Sequence, residues 1–242
     1  MSELDRYRLS FGGVADVYER SRPLYAAEAI AWLRGRLPLG RVLDLGAGTG
    51  KLTRQLVEAG ADVVAVEPDA QMRAVLARVL PQVELLEGSA EAIPLPDGSV
   101  DVVTAAQAFH WFDAERALPE IHRVLRPGGG VALLWNEWAD EPLTRRLEEI
   151  VAPLRPASSH RSSDAQHPLA GTPLFANLGI RSFPHADTVD PETLVERVAS
   201  VSAVVVAPAD ARERALAEVR ALAGDAPLRF PLVTSVGAAD RA

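Results

Sequence analysis

The sequence contains no cysteine, which excludes disulfide bonds, thiol catalysis and thiolate metal sites. It has no apolar run long enough to cross a bilayer. Its first ten residues, MSELDRYRLS, have no apolar core of the kind found in signal peptides. We therefore predict a cytoplasmic protein with no membrane partner.

Basic residues are in the minority. Lys and Arg total 25 against 33 for Asp and Glu, which gives a net charge of -8. That balance disfavours nonspecific binding to nucleic acid, so we predict no nucleic-acid partner. With 242 residues the chain is long enough to bury a substantial core, and we expect one domain over 1–242.

The most informative stretch is RVLDLGAGTG, residues 41–50. A short apolar run interrupted only by Asp44 predicts a buried strand of a parallel sheet. The glycines at alternate positions, Gly46, Gly48 and Gly50, allow a sharp turn and leave room for a ligand to approach the backbone. Residues 51–59 predict a helix capped by Gly60. Strand, glycine turn and helix are typical of a site for a nucleotide-like ligand, although the glycines would also serve a tight turn alone.

Strands and helices alternate through the predicted core, residues 41–136. The further strands are predicted at 62–67, 83–86, 100–105 and 131–137. Helices are predicted at 69–80 and from about 113 to 125, and Pro119 is expected to kink the second helix or to make it start afresh at Leu118 or Pro119. The RPGGG sequence at 126–130 predicts a tight turn. This alternation predicts a parallel sheet with helices on both faces and right-handed crossovers.

The flanking segments are predicted from weaker patterns. Residues 1–40 are expected to form a helical arm, with one helix ending near Ser21 and another over 25–37. Residues 137–172 form a variable lid or substrate region, with a helix over 142–151 and then a polar loop. Residues 173–242 complete the sheet, with strands near 180–185 and 229–236 and helices over 191–200 and 210–223.

The polar loop contains His160, Asp164 and His167. These are residue types that bind metals, but no pair of them has a usual helical ligand spacing, and histidines are common in solvated loops. We predict no metal site.

The glycine spacing and two acids indicate the ligand. The motif is G-x-G-x-G rather than the dinucleotide G-x-G-x-x-G, and Asp44 precedes it. An acid at this position suits a ligand with an ammonium group, which it would face directly or through water. Glu67 ends the second strand, where a carboxylate is placed to accept hydrogen bonds from both ribose hydroxyls. Together these features favour S-adenosylmethionine over NAD.

Residues 41–136 resemble the class I S-adenosylmethionine-dependent methyltransferases. The resemblance lies in VLDLGAGTG, VVAVEP, GSAEAIPLPDGSVDVVTAAQAFHW and VLRPGG, which occur in the family's order. The N-terminal ADVYERSRPLY resembles the arm of a small-molecule subgroup that includes the trans-aconitate methyltransferases. The resemblance implies a Rossmann-like three-layer α/β sandwich with a seven-stranded, mostly parallel sheet and an antiparallel last strand.

The resemblance also assigns site residues. Gly46, Ala47 and Gly48 would approach the methionine part of the cofactor, Pro68 and Met72 would pack on the adenine, and Ser89, Ala90 and Glu91 would surround its edge. Many relatives have an acid where Ser89 stands. Gln107, Ala108 and His110 would face the transferable methyl group, and Arg22 would meet the cofactor carboxylate or an acidic substrate. The predicted residues binding S-adenosyl-L-methionine, or the product S-adenosyl-L-homocysteine, are Arg22, Asp44, Gly46, Ala47, Gly48, Gly50, Glu67, Pro68, Met72, Ser89, Ala90, Glu91, Gln107 and Ala108.

The implied reaction is an in-line displacement at the methyl carbon by an oxygen, nitrogen or carbon nucleophile of a small molecule. His110 is the predicted catalytic residue, as a general base, if the acceptor carries a proton. Alternatively, His110 and Trp111 only form a wall of the pocket. The predicted substrate residues, which would otherwise serve packing, are Tyr18, Tyr25, Trp111, Trp135 and Asn136.

Two other functions are compatible with the motifs. One is a cofactor-binding protein without catalysis, which the intact core motifs disfavour. The other is an NAD-linked oxidoreductase, which the glycine spacing and Asp44 disfavour.

Overall fold

The first buried strand and its glycine turn lie at the centre of a sheet. The computed structural model describes residues 15–155 and 167–242. The described helices are α1 (Ala15–Ser21), α2 (Ala27–Arg36), α3 (Lys51–Glu58), α4 (Ala70–Val79), α5 (Ala114–Val124), α6 (Pro142–Val151), α7 (Pro191–Ala199), α8 (Ser202–Val205) and α9 (Ala209–Ala223). Short 3-10 turns cover Phe109–Trp111 and Ala152–Leu154.

The strands are β1 (Arg41–Leu45), β2 (Asp62–Val66), β3 (Glu84–Leu86), β4 (Val100–Ala106), β5 (Leu125–Trp138), β6 (Phe175–Val189) and β7 (Leu228–Arg241). They form one seven-stranded sheet in the order β3-β2-β1-β4-β5-β7-β6. Strand β1 is parallel to both β2 and β4, β2 is parallel to β3, and β4 is parallel to β5. The predicted sheet is therefore confirmed.

Strand β7 runs antiparallel to its neighbours. Its contacts with β6 join Asn177 to Asp240 and Ser182 to Ser235, so one strand ascends in number as the other descends. On the β5 side, Asn136 contacts Thr234. The antiparallel last strand expected from the resemblance is confirmed.

Strand β1 is buried on both faces because its side chains alternate between two apolar clusters. Leu43 and Leu45 pack in a cluster that includes Ile121 of α5. Val42 packs in a second cluster with Leu33 of α2 and with residues of α3. This arrangement places helices on both sides of the sheet, as alternating strands and helices predict.

Helix α5 corrects one sequence prediction. It runs unbroken from Ala114 to Val124 with Pro119 inside it, so it does not start afresh at Leu118 or Pro119. Proline removes the hydrogen bond to the carbonyl four residues earlier, which belongs to Glu115. Glu115 is exposed, so water can satisfy that carbonyl.

The predicted tight turn at 126–130 is also corrected. These residues belong to β5, and the register with β4 shifts between the pairs Val100↔Leu125 and Val102↔Gly130. A Cβ at Gly129 would lie 2.4 Å from the carbonyl oxygen of Asp101. The glycine therefore permits a close approach of two backbones at an irregularity within a strand, rather than closing a turn.

The chain divides into two compact units. The core unit comprises Leu24–Glu137, the described residues of Gln166–Phe183, and Thr234–Ala242, and it contains the glycine turn. The helical unit comprises the described residues of Met1–Pro23 and Trp138–Ala165 together with Pro184–Val233. Its apolar cluster includes Leu147, Leu194, Val219 and Phe230, from α6, α7, α9 and β7.

Candidate functional site

The glycine turn lies directly after β1, at the carboxyl edge of the parallel strands. The backbone N–H groups of Gly46 and Ala47 donate to the carbonyl of Val66, at 2.8 and 3.2 Å, so the turn is bound to the end of β2. Gly50 has a positive φ of 89° and immediately precedes α3. The turn therefore follows the sharp path that the glycine pattern predicts.

The three glycines serve different purposes. A Cβ at Gly46 would lie 2.7 Å from the Cβ of Ala108, and one at Gly50 would lie 3.1 Å from Leu76 and Leu80. Glycine is favoured at both positions by the close side chains and by a positive φ, +68° at Gly46 and +89° at Gly50. Gly48 has a φ of +57°, and none of the described residues lies within 4 Å of the position its Cβ would take. Of the three, Gly48 is the one that borders free space.

Glu67 lies beside Gly48. Its Oε2 accepts from the N–H of Gly48 at 2.8 Å, and its Oε1 accepts from the N–H of Asp69 at 2.9 Å. The residue is 7% exposed. Burial raises the pKa of its carboxyl, and the N–H donors of Asp69 and Gly48 oppose that rise. Two separate sequence motifs thus meet at one hydrogen bond.

Asp44 is buried below the turn. Its Oδ2 accepts from the hydroxyl of Thr53 at 2.6 Å and its Oδ1 from the hydroxyl of Thr104 at 3.1 Å. Burial raises the pKa of Asp44 to about 6, and the two threonine hydrogen bonds oppose that rise. The carboxylate thus connects β1 to α3 and β4, and its contact with a ligand ammonium group stays a prediction.

The loop after β3 carries Ser89, Ala90 and Glu91. Ala90 is buried, and Ser89 and Glu91 are partly buried. The Oε1 of Glu91 accepts from the N–H of Asp113 at 3.0 Å, just before α5. Glu91 therefore already has a partner in the protein.

At the start of α4, Met72 is buried and Pro68 is partly buried. Asp69 caps this helix by accepting from the N–H groups of Gln71 and Met72. The cap fixes the first turn of α4 directly after Glu67.

Gln107, the first residue after β4, has a φ of +53°. This left-handed conformation is unfavourable for a residue with a Cβ, and such positions concentrate at functional sites. The N–H of Gln107 donates to the carbonyl of Leu134 at 2.9 Å, and its Nε2 donates to the carbonyl of Asn136 at 2.6 Å. Ala108 is buried against Gly46.

His110 lies on the 3-10 turn that follows, and it is exposed. Its ring centroid is 4.7 Å from that of Trp111, which is partly buried. Phe109 and Phe112, on either side, pack edge to face at 5.5 Å. The two phenylalanines fix the turn, so that the imidazole is presented at the surface.

Asn136 connects several segments of the core unit. Its Nδ2 donates to the carbonyl of Leu24 at 2.9 Å, and its Oδ1 accepts from the hydroxyl of Thr234. The hydroxyl oxygen of Thr234 in turn accepts from the N–H of Ala26. These contacts give Asn136 a role in positioning the segment before α2.

The other two predicted substrate residues of the core unit have packing contacts. Tyr25 is 7% exposed, and its backbone N–H and carbonyl both bond the side chain of Gln55. The ring of Trp135 meets that of His167 edge to face at 5.7 Å. The Nδ1 of His167 accepts from the N–H of Leu169 at 3.2 Å, and burial lowers its pKa.

Tyr18 and Arg22 belong to the helical unit. The guanidinium carbon of Arg22 lies 5.2 Å from the ring centroid of Tyr18, and its Nη2 donates to the carbonyl of Ser200 at 2.6 Å. Within this unit, Arg22 therefore fixes α1 against the end of α7. Its predicted contact with a carboxylate stays a prediction.

Several residues at or beside the candidate site were not predicted from the sequence. Thr53, Thr104 and Gln55 are ordinary helix and strand residues, and no motif identifies them as partners of Asp44 or Tyr25. Thr49 is 1% exposed, and its hydroxyl oxygen has no hydrogen-bond partner among the described residues. Its place inside GAGTG is the one signal that the sequence offered.

His160 and Asp164 lie outside the described residues. Across 15–155 and 167–242, no three His, Asp or Glu side chains are grouped closely enough to hold a metal ion. Over the same residues, no helix is both long and apolar enough to span a membrane.

Several known proteins are similar to this chain in sequence and in fold. A family model described as a methyltransferase domain matches residues 43–133. An uncharacterized methyltransferase of Mycobacterium tuberculosis is 45% identical over 238 residues, covering 93% of both chains. An uncharacterized methyltransferase-like protein of Schizosaccharomyces pombe is 34% identical over 219 residues, which cover 88% of this chain and 85% of that protein.

A solved structure of a candidate type II methyltransferase from Anaeromyxobacter dehalogenans superposes with a TM-score of 0.67 at 26% identity, covering 90% of this chain and 97% of that one. The subgroup resemblance to trans-aconitate methyltransferases stays a prediction. The sheet order, the glycine turn and the extent of the similarity to the bacterial and yeast relatives agree on one assignment. The chain belongs to the class I S-adenosylmethionine-dependent methyltransferases.

Proposed function

We propose that this methyltransferase uses S-adenosylmethionine as its donor and methylates a small molecule, with Gly48 and Glu67 at the centre of the cofactor site. The observation that carries the proposal is the 2.8 Å hydrogen bond from Gly48 to Glu67. It joins a glycine that borders free space to a buried carboxylate at the end of the neighbouring strand.

The residues fit such a ligand. A cofactor passing over Gly48 meets backbone and no side chain, because this position lacks a Cβ. Glu67 holds its carboxylate in a fixed orientation through two backbone donors, and each oxygen retains a second lone pair for a ribose hydroxyl. In this proposal Gly46 and Ala47 lie along the amino-acid part of the cofactor.

The adenine would lie between the start of α4 and the loop after β3. Pro68 and Met72 would contribute apolar surface, while Ser89, Ala90 and Glu91 would contact the ring edge. Since Glu91 accepts from the N–H of Asp113, it would need its remaining lone pairs for that contact. The hydroxyl of Ser89 can both donate and accept a hydrogen bond.

When bound, S-adenosylmethionine supplies a sulfonium methyl group, which a nucleophile of the acceptor takes by in-line displacement. Gln107 and Ala108 would flank that position, and the strained backbone of Gln107 would fix the wall. His110 would accept the proton of an acceptor that carries one, because it lies exposed on the adjoining turn. Asp44 would affect the ammonium group indirectly, by supporting the glycine turn that faces this group.

A small-molecule acceptor is supported by the charge of the chain. The net charge of -8 disfavours a polyanion such as RNA or DNA as the acceptor.

A matched pair of glycines tests the cofactor site. Gly48 and Gly60 both have a positive φ, of +57° and +89°, and among the described residues nothing lies within 4 Å of either Cβ position. Gly48→Ala and Gly60→Ala therefore incur similar backbone strain, about 1 kcal/mol. Only Gly48→Ala places a methyl group in the proposed site, where it would block the cofactor sterically. We therefore expect its affinity for S-adenosylhomocysteine, measured by calorimetry, to fall by at least about tenfold.

The Gly60→Ala variant, at the far end of α3, should bind like the parent protein. Equal affinities for the two variants would contradict the proposed site, and binding of NAD in place of S-adenosylhomocysteine would contradict the proposed donor. Incubation with methyl-labelled donor and a fractionated metabolite extract then tests the acceptor class. Label in a protein or nucleic-acid fraction, and not in small molecules, would refute that part.

A further inference from the structure

The loop between β3 and β4, residues 87–99, carries the proposed adenine contacts. Its only regular pairing, in a loop that is described throughout, is one isolated bridge between Ser89 and Ala92. A loop without a hydrogen-bonded ladder keeps one conformation only if side chains satisfy its backbone groups. Most of those side chains come from one helix, α5, and one more contact is from Arg126 of β5 to the carbonyl of Gly98.

Arg123, in the last turn of α5, uses its whole guanidinium group for this purpose. A guanidinium has five N–H donors in a rigid planar array. Its Nε donates to Glu120 Oε1 at 2.7 Å and its Nη2 to Glu120 Oε2 at 2.8 Å, a bidentate pair. The second hydrogen of Nη2 points to the carbonyl of Ile93 at 3.0 Å. Its Nη1 donates to the carbonyl of Leu95 at 2.9 Å and to Asp97 Oδ1 at 2.7 Å.

Glu120 completes the arrangement. Its Oε2 also accepts from the N–H of Ile93 at 2.9 Å, so the Arg123–Glu120 pair satisfies both backbone polar groups of that residue. The hydrogen bonds from Arg123 lower the pKa of Glu120, which keeps its carboxylate ionised. Ile93 and Leu95 are themselves buried, so the loop is fixed by burial and by polar contacts at the same residues.

The other end of α5 holds the same loop. The N–H of Asp113, just before the helix, donates to Glu91 Oε1 at 3.0 Å. Ser89, Ala90 and Glu91 thus lie within the isolated bridge between Ser89 and Ala92, and the chain from Glu91 onward is attached to both ends of one helix. We infer that Arg123, oriented by Glu120, is a positioning residue for adenine recognition: it sets the place of Ser89–Glu91 without touching the cofactor itself.

This inference rests on the proposed function, and a role in stability alone is the competing explanation. Helix α5 is held to the sheet by Ala117, Ile121 and Val124, all fully buried. The side chain of Arg123 is 30% exposed and lies outside that apolar face. Replacing the guanidinium group of Arg123 should therefore loosen the loop while leaving the helix in place.

The test compares two ligands that differ in the base. S-adenosylhomocysteine has a 6-amino group and S-inosylhomocysteine a 6-oxo group, so the ratio of their Kd values reports on recognition of the adenine edge. Arg123→Lys keeps the charge but cannot reproduce five fixed donors. Glu120→Gln keeps the shape but breaks the bidentate pair. Arg116→Lys, at an exposed position of the same helix, is the control.

For Arg123→Lys we expect the preference for S-adenosylhomocysteine to fall at least about fivefold, since misplaced polar groups discriminate poorly between bases. Glu120→Gln should move the ratio in the same direction, and it decides the matter if the lysine variant does not fold. Arg116→Lys should leave the ratio unchanged.

Lower thermal stability with an unchanged ratio in both variants would overturn the inference and leave the proposed function intact. A parent protein without preference between the two ligands would do the same. A parent protein that binds neither ligand would overturn both.

Discussion

The buried carboxylate of Asp44 should make the stability of the protein fall as pH rises through the weakly acidic range. The residue is 1% exposed, and burial raises its pKa from 3.8 to about 6. Between those two values the folded state holds a proton that the unfolded state releases. The folded state therefore binds more protons in this interval, and the free energy of unfolding decreases with increasing pH.

The magnitude follows from the size of the shift. Each pKa unit corresponds to 1.36 kcal/mol, so a rise from 3.8 to about 6 implies about 3 kcal/mol of stability that is present below pH 4 and lost above pH 6. Asp44→Asn removes the titration and keeps the shape. In the parent protein the hydroxyls of Thr53 and Thr104 both donate to the carboxylate. In the variant, the amide can donate to the hydroxyl oxygen of Thr53 and accept from the hydroxyl of Thr104.

Urea unfolding between pH 4 and pH 7 measures the effect. The parent protein should lose about 2 kcal/mol relative to Asp44→Asn over this interval, because pH 4 already lies slightly above the unfolded pKa of 3.8 and all other titrating groups are common to both and cancel. Asp62→Asn is the control, since the side chain of Asp62 is 76% exposed. If the difference between parent and Asp44→Asn is the same at pH 4 and pH 7, the carboxylate is not desolvated as the structure has it, and the reasoning is wrong.

Two further predictions concern the end of β4. The free energy of unfolding should be about 1 kcal/mol higher for Gln107→Gly than for Gln107→Ala. Both variants lose the amide contact, but only glycine relieves the strain of the φ of +53°. Equal urea midpoints for the two variants would argue against strain at this residue. His110→Ala should lower the rate of methyl transfer from labelled donor by about 10²- to 10⁴-fold if the imidazole is a general base, with the Kd of S-adenosylhomocysteine unchanged. His122→Ala, on α5, should leave the rate as it is, and a His110→Ala rate within twofold of the parent, about the precision of such assays, would remove the base.

The sequence predicts the sheet well where strands are buried on both faces. Strand β1 at Arg41–Leu45 and strand β2 at Asp62–Val66 lie within a residue of their predicted bounds, because continuous apolar runs ended by glycine or an acid admit few other structures. The prediction weakens at the far end of the sheet. Strand β6 was predicted over 180–185 and extends over Phe175–Val189.

Strand β6 has a neighbour on one side only, at the end of the strand order, and most of its residues are at least partly exposed. The strand also contains Gly179 and Pro184, and these two residue types usually indicate the end of a strand. An edge strand needs neither a continuous apolar run nor a full set of backbone donors, so pattern recognition shortens it. Strand β7 was shortened for a related reason, since its last buried residues are the small Ala238 and Ala239.

Site residues show a different limit. A motif identifies a position in the chain, and the partners of a side chain depend on which elements the fold brings beside it. The glycines and Glu67 were predicted because the ligand is expected to contact them in a fixed local pattern. Thr53 lies within hydrogen-bond distance of Asp44 only because α3 folds back over β1, and nothing in its sequence neighbourhood records that.

Glu91 shows how the allocation of partners changes the chemistry of a predicted residue. From the sequence it is one of three residues expected to surround the edge of the adenine. In the structure one of its oxygens already accepts from Asp113. In the proposal, this carboxylate would contribute to recognition chiefly by fixing Ser89 and Ala90, and Arg123 attaches the residues that follow, at Ile93 and Leu95. The specificity of this site for its base would then depend as much on α5, which never meets the ligand in the proposal, as on the residues that do.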